Sequence, residues 1–302
     1  MLTKIVETRW GPVEYSDAGS GDPILYFHGT GVTGDVMMSV ESPLIDDGFR
    51  LLALNRPGYG RTPLSLHRSA ADCAGVAAAL LDSLGIAGVS VMGSSGGAVF
   101  ATSFATRYPS RTTSLVLLCP QVHRWDRKRW LPATSRWTLP LLRRPLLRKL
   151  LLKLYRILLR RMSVAQFLKT EAGDRYSDVA GDPVSQALAE KTLVAMAQGV
   201  RCAGFENDFV VFTSEDIIGP DDLLCTPTLI IHDVSDPVAP AEHVAWLVAK
   251  CPQCETVSVH AAGHLIWVGP GATAMHTARV RFLRGHARRG AEPDSVLSSG
   301  DS

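Results

Sequence analysis

The stretch Val89-Ser90-Val91-Met92-Gly93-Ser94-Ser95-Gly96-Gly97-Ala98 constrains this chain more than any other. An apolar β-branched run leads into a glycine-flanked turn, and a small-residue helix follows at once, from Ala98 to Arg107. The turn carries Gly-x-Ser-x-Gly centred on Ser95. Centring the pattern on Ser94 fails, because Met92 would then fill the first glycine position. A strand that turns this tightly into a helix needs near-absent side chains on either side of the serine, which is pushed into the open. The following helix brings its free N-terminal N–H groups under that serine, where they favour developing negative charge.

The rest of the chain repeats the strand–helix alternation. Lys4–Thr8 and Val13–Asp17 read as an opening hairpin around Gly11-Pro12. Ile24–Phe27 is a buried strand ending in His28-Gly29-Thr30-Gly31, and Arg50–Leu54 is another, ending in Asn55-Arg56-Pro57-Gly58-Tyr59-Gly60. His67 to Leu84 has helical periodicity. Strands follow at Val89–Gly93 and Thr113–Cys119. The rhythm stops after Pro120 and returns at Pro227 with a strand at Thr228–His232, a helix around Glu242–Ala249, a strand at Thr256–Val259 and a helix near Ala272–Leu283. Short apolar strands alternating with helices predict an α/β fold with a mostly parallel sheet. The expected organisation is a core from residues 1–120 and 223–285, a mainly helical insertion from 121 to 222, and a polar, disordered tail from 286 to 302.

The insertion is split by charge. From Val122 to Lys169 there are fourteen Lys or Arg residues and one acid, Asp126, whereas Thr170 to Asp222 holds eleven acids and three bases. Pro145 to Arg161 suits one helix with proline in its first turn. Lys149, Lys153, Arg156 and Arg160 fall on one side of it, and Leu147, Leu150, Leu151, Leu154 and Leu158 on another. One reading packs the leucines on the body and leaves the bases solvated or paired to the acidic half. The other makes the helix a basic amphipathic surface in weak contact with an anionic membrane or lipid interface.

The net charge of +2 gives no general pull toward nucleic acid, and no stretch is long and apolar enough to span a membrane. The N-terminus lacks the apolar segment of a signal peptide, so a cytoplasmic location is expected. Six scattered cysteines read mostly as small core residues. Cys251-Pro252-Gln253-Cys254 has metal or redox spacing, but nothing in the sequence completes such a site.

A serine hydroxyl needs a base to take its proton, and the base needs an orienting carboxylate. After a strand–turn–helix serine these follow in the order acid, then histidine. Asp236 sits in the loop after the Thr228–His232 strand, and His264 in the loop after the next strand. Asp233 and His260 are the competitors. Asp233 falls in or at the end of the strand, which favours Asp236 as the acid, and His260 alternates with Val257 and Val259 in a strand and is expected to be structural. A tetrahedral oxyanion needs N–H donors. Gly96 supplies one, and the backbone of Thr30 is assigned the second. Gly29 shapes that loop, and His28 is expected to brace it by hydrogen bonds.

Taken together, His28-Gly29-Thr30-Gly31, Arg56-Pro57-Gly58-Tyr59-Gly60, Gly93-Ser94-Ser95-Gly96-Gly97, Asp236-Pro237-Val238-Ala239-Pro240 and Gly263-His264 resemble the α/β-hydrolase fold family. The resemblance covers about Gly21 to Pro120 and Pro227 to Leu283, with the insertion where the family carries a cap. It implies a catalytic triad of Ser95, Asp236 and His264 that needs no cofactor or metal. Epoxide hydrolases and haloalkane dehalogenases are similar in outline but carry aspartate where this chain has Ser95, which points to acyl chemistry. One departure is Asp233, where relatives often have glycine.

The leading expectation is a carboxylic ester hydrolase for small or medium hydrophobic esters. A C–C bond hydrolase, a cofactor-free perhydrolase or peroxidase, an aminopeptidase and an acyltransferase stand open on the same scaffold. An aminopeptidase would need acids in the insertion to hold an amine, with Glu206 and Asp208 as candidates. A non-enzymatic ligand receptor is a further class. Oligomeric state is left open.

Overall fold

Buried strands carrying alternate large apolar side chains demand cover on both faces, and the chain supplies it. The structure, a computed structural model, describes residues 3–65, 67–132, 136–199, 202–214, 217–218 and 223–287. Among these, eight strands form one sheet: β1 (Thr3–Thr8), β2 (Gly11–Ala18), β3 (Pro23–Phe27), β4 (Arg50–Leu54), β5 (Val89–Ser94), β6 (Thr112–Leu118), β7 (Thr228–Asp233) and β8 (Cys254–Val259). Their order is β1-β2-β4-β3-β5-β6-β7-β8. The β1–β2 and β2–β4 pairs are antiparallel; all the others are parallel.

Twelve helices are described. The first four are α1 (Gly34–Val40), α2 (Pro43–Asp46), α3 (Ala70–Ser83) and α4 (Gly97–Arg107). Between β6 and β7 come α5 (Leu139–Leu142), α6 (Pro145–Arg161), α7 (Val164–Ala172), α8 (Tyr176–Val179), α9 (Pro183–Gly199) and α10 (Ala203–Ser214). The last two are α11 (Glu242–Lys250) and α12 (Ala272–His286). The period of two divides the strands between two cores. Leu25, Phe27, Leu115 and Leu117 face a cluster that includes α3, α4 and α11. Ile24, Tyr26, Val116 and Leu118 face the opposite cluster, with α1, α2 and α12.

Local chemistry sets several boundaries differently from the pattern. The first hairpin turns at Arg9-Trp10, and Gly11-Pro12 already belongs to β2. The helix expected from His67 starts at Ala70, because Ser69 caps it: its hydroxyl accepts from the Asp72 N–H while Asp72 accepts from the Ser69 N–H. Strand β8 ends at Val259, so His260 lies beyond it and is exposed, with an Arg175 contact at 2.6 Å. The expected tail boundary also moves. His286 is the last residue of α12, its ring 4.3 Å from that of Phe282, while residues 288–302 lie outside the described residues.

Register brings the carboxyl ends of the central strands to one edge. Phe27 of β3 pairs with Gly93, Ser94 with Leu118, Leu118 with Ile231, and Asp233 with Val259. The loops carrying His28–Thr30, Ser95, Asp236 and His264 therefore open on the same side, where ligands bind in open parallel sheets. The inserted helices cover that edge. Phe167, Leu168, Ala172 and Leu193 pack with Ala262, Leu265 and Val268 around the loop that bears His264.

Helix α10 docks through charge. Asp208 accepts from Arg56 at 2.6 and 2.8 Å and from the Tyr59 hydroxyl at 2.7 Å. The Arg56 Nε and Nη2 groups also donate to the carbonyls of His28 and Gly29, at 3.1 and 3.3 Å. Arg56 and Asp208 are both buried, and burial works against the Arg56 cation, but the Asp208 carboxylate outweighs it. Asp208 is thus committed to the scaffold. Glu206 pairs with Arg148 at 3.6 Å.

Removing one partner of a buried pair strands the other charge. Asp208→Ala is expected to lower unfolding free energy by about 3–5 kcal/mol in urea titration. A loss below about 1 kcal/mol would contradict this role for the pair.

Candidate active site

The turn after β5 holds Ser95 at a φ of +52°, a left-handed conformation rare for a residue with a side chain. Three backbone bonds pin it. The Ser95 N–H donates to Leu118 at 2.9 Å, and its carbonyl accepts from Ala98 and Gln121, each at 3.1 Å. Glycine at two neighbours makes the turn possible. A Cβ on Gly97 would lie 2.3 Å from the Phe27 carbonyl oxygen, and one on Gly93 would lie 2.6 Å from the Ala101 side chain. Helix α4 therefore seats directly against β3 and β5 with Ser95 at its head.

The structure brings Ser95, His264 and Asp236 together. Ser95 Oγ is 2.9 Å from His264 Nε2, and His264 Nδ1 is 2.7 Å from Asp236 Oδ2. Since a carboxylate only accepts, Nδ1 carries a proton and Nε2 presents its lone pair to the serine hydroxyl. The other oxygen of Asp236 accepts from the Val238 and Ala239 N–H groups at 2.7 and 2.9 Å, which fixes the carboxylate. Burial works against a charged His264, but the Asp236 charge and hydrogen bond overcome it and hold its pKa well above the usual histidine value. The competitors do other work. Asp233 accepts from the Ser235 and Ala261 N–H groups, each at 2.9 Å, tying the loop after β7 to the end of β8.

The loop after β3 reaches over the serine. His28 donates from Nδ1 to the Gly29 carbonyl at 2.9 Å and accepts the Arg56 N–H at Nε2, 3.2 Å away. Burial, with the Arg56 charge beside it, pushes its pKa well below the usual value, so it braces the loop as a neutral ring. A Cβ on Gly29 would meet the Ser95 Cβ at 3.4 Å. A Cβ on Gly96 would meet Thr30 Oγ1 at 2.4 Å, so the Thr30 side chain lies directly against Gly96. Among the described residues, neither the Thr30 nor the Gly96 N–H donates to a protein acceptor.

Ser95 and His264 open into a cavity of about 640 Å³, lined mainly by Trp125, Leu142, Leu151, Leu159, Phe167, Met196, Phe205, Phe212 and Leu265. That volume lies within the usual range for a small-molecule site. No Lys or Arg lines it among the described residues.

Two groups beside the triad residues have no motif to announce them. Cys119 follows β6 at a φ of +41°, and its sulfur lies within 4.8 Å of ligand atoms of His264 and Asp236. Burial pushes its thiol up, so it stays neutral. These three residues could in principle be metal ligands, but both His264 nitrogens are engaged by Ser95 and Asp236. Glu171, near the end of α7, is the second. Its carbonyl accepts the His264 N–H at 2.9 Å, and the residue is part of the cavity lining. Burial, with the Asp236 charge, pushes that carboxyl up to about 7 against the pull of His264. The same burial, with the Glu171 charge, raises Tyr155.

The consequence for pH has a definite sign. His264 must be neutral to accept a proton, so any serine chemistry here rises with pH through its pKa. Ionised Glu171, present above about pH 7, stabilises the His264 cation and delays that rise. Glu171→Gln is expected to move the acidic limb of kcat/KM toward lower pH. An unmoved limb would contradict the coupling.

The fold agrees with what comparison with known proteins finds. A family model described as the alpha/beta hydrolase fold matches residues 22–268. The uncharacterized hydrolase YcgS of Bacillus subtilis (strain 168) is 28% identical over 278 residues, covering 90% of this chain and 95% of that protein. The 2-hydroxy-6-oxo-6-phenylhexa-2,4-dienoate hydrolase of Comamonas testosteroni is 27% identical over 114 residues, 36% of this chain and 40% of that one. Among solved structures, a thermophilic esterase from Thermogutta terrifontis superposes with a TM-score of 0.66 at 20% identity, covering 95% of this chain and 100% of that one.

Proposed function

The chain belongs to the alpha/beta hydrolase fold family, and on that premise we propose that it is a serine hydrolase of hydrophobic carboxylic esters. The observation that carries the reading is the hydrogen-bond chain Ser95–His264–Asp236 at the floor of an apolar cavity. Ser95 Oγ attacks the ester carbonyl as His264 Nε2 takes its proton. Asp236 holds the ring and stabilises the imidazolium. The Thr30 and Gly96 N–H groups hold the oxyanion. As the tetrahedral species collapses, the C–O bond breaks and His264 returns the proton to the leaving alkoxide. Water, deprotonated by the same base, then attacks the acyl-enzyme, releasing the acid and restoring Ser95.

The lining supports a neutral, apolar substrate. The dienoate hydrolase relative favours a second reading, carbon–carbon bond cleavage on the same triad. A dienoate carries a carboxylate, and no guanidinium or ammonium lines the cavity among the described residues to meet it. Ester hydrolysis therefore ranks first.

A series of p-nitrophenyl esters tests this. We expect kcat/KM to rise from acetate to medium-chain esters. Ser95→Ala and His264→Ala should each lower it by about 10⁴-fold or more, and Asp236→Asn by about 10⁴-fold. Wild-type turnover retained in any of the three would overturn the assignment.

A further inference from the structure

Helix α6 covers part of the cavity, yet its most apolar stripe is left largely uncovered. At about 100° per residue, Leu146, Leu147, Leu150, Leu154, Ile157 and Leu158 fall within a stripe about 120° wide. All six are exposed, from 40% at Leu147 and Ile157 through 53% at Leu154 and Leu158 to 82% at Leu146. Packing on the body is thus confined to the adjacent face, with Arg148 and Leu159 buried. An uncovered run of leucines on a single helix exceeds the scattered apolar exposure of an ordinary surface and marks an interaction site.

Charge says what kind of surface would cover it. Lys149, Lys153 and Arg160 form a row along the edge of the stripe away from the cavity, and Arg161 lies at its C-terminal end. None of these four has an ion-pair partner among the described residues. The sequence holds no acid between Asp126 and Glu171 to neutralise them. A second copy of the chain docked face to face with its α6 antiparallel would bring these rows of cations together. Leucines flanked by unpaired bases suit the boundary between hydrocarbon and anionic head groups.

The stripe also joins the cavity. Leu154 and Leu158, each about half exposed, belong to the cavity lining as well. We propose that α6 is a membrane-docking surface that lies in the head-group region of an anionic bilayer, placing the mouth of the Ser95 cavity against the lipid phase. The docking inference stands on exposure and charge alone. The delivery of bilayer-dissolved esters to Ser95 rests on the hydrolase reading above.

Sedimentation of the full chain with vesicles separates the two. Wild type is expected to bind phosphatidylcholine–phosphatidylglycerol vesicles at low salt and to lose binding at about 1 M salt, where the screening length is about 3 Å. Leu146→Gln with Leu150→Gln, neither in the cavity lining, should weaken binding by about tenfold or more. Lys149→Glu with Lys153→Glu should remove the preference for anionic over pure phosphatidylcholine vesicles. Hydrolysis of a vesicle-embedded long-chain ester should fall with binding in the leucine variant, while turnover of soluble p-nitrophenyl acetate stays unchanged. Failure of wild type to bind anionic vesicles at low salt would overturn docking, as would binding indifferent to the leucines. A stable dimer that dissociates on the leucine changes would also overturn it, giving the face to a second copy. Binding without hydrolysis of either ester would leave docking intact and sink the hydrolase reading instead.

Discussion

A serine just past the end of a buried strand is forced into left-handed backbone geometry so that a helix can begin two residues later. That conformation at Ser95 is costly for a residue with a Cβ, by about 1–3 kcal/mol. It persists because its surroundings over-determine it. The Ser95 N–H is held by β6, its carbonyl by Gln121 and α4, and no side chain keeps α4 away from β3. The hydroxyl is left projecting toward His264, with the free N–H of Gly96 beside it. The rest of the site is arranged around this one fixed point.

Parallel register extends the constraint from one residue to a surface. Because β3, β5, β6, β7 and β8 end in step, three loops far apart in sequence deliver Thr30, Asp236 and His264 to the same edge. The inserted helices then roof that edge to make an apolar cavity. Polar contacts help hold them there, among them Asp208 on Arg56, Arg175 on Ser235 and the Glu171 carbonyl on the His264 N–H. Closure has an electrostatic result. Burial raises the Glu171 carboxyl beside a histidine already drawn toward its charged form by Asp236.

What the sequence discloses follows from how local each feature is. The serine turn is readable because its glycines, strand and helix are contiguous. Asp236 and His264 are readable because strand order fixes where they fall, and Asp233 separates from Asp236 because it ends a strand; His260, read from its alternation as a strand residue, instead lies exposed just beyond β8. In the sequence Glu171 is one of eleven acids between Thr170 and Asp222, and nothing in its helix announces that its carbonyl packs against Gly263. Asp208 finds its partner 152 residues away, and no periodicity encodes that. Cys119 passed as a core residue, because its place beside His264 arises from the end of β6 meeting the loop after β8. In α6 the leucine pattern was visible, but it spans more than one face. Only tertiary packing determines that Leu159 goes inward and Leu150 outward.

The central claim is that Ser95 is a nucleophile activated by His264. Reaction with a fluorophosphonate, followed by intact-mass measurement and peptide mapping, tests it most directly, because the probe requires an activated serine and no knowledge of the substrate. The account predicts one phosphonyl group per chain, carried on Ser95, with labelling lost in Ser95→Ala and strongly slowed in His264→Ala. Folded wild-type protein that stays unlabelled, or that carries the group on another residue, would contradict it.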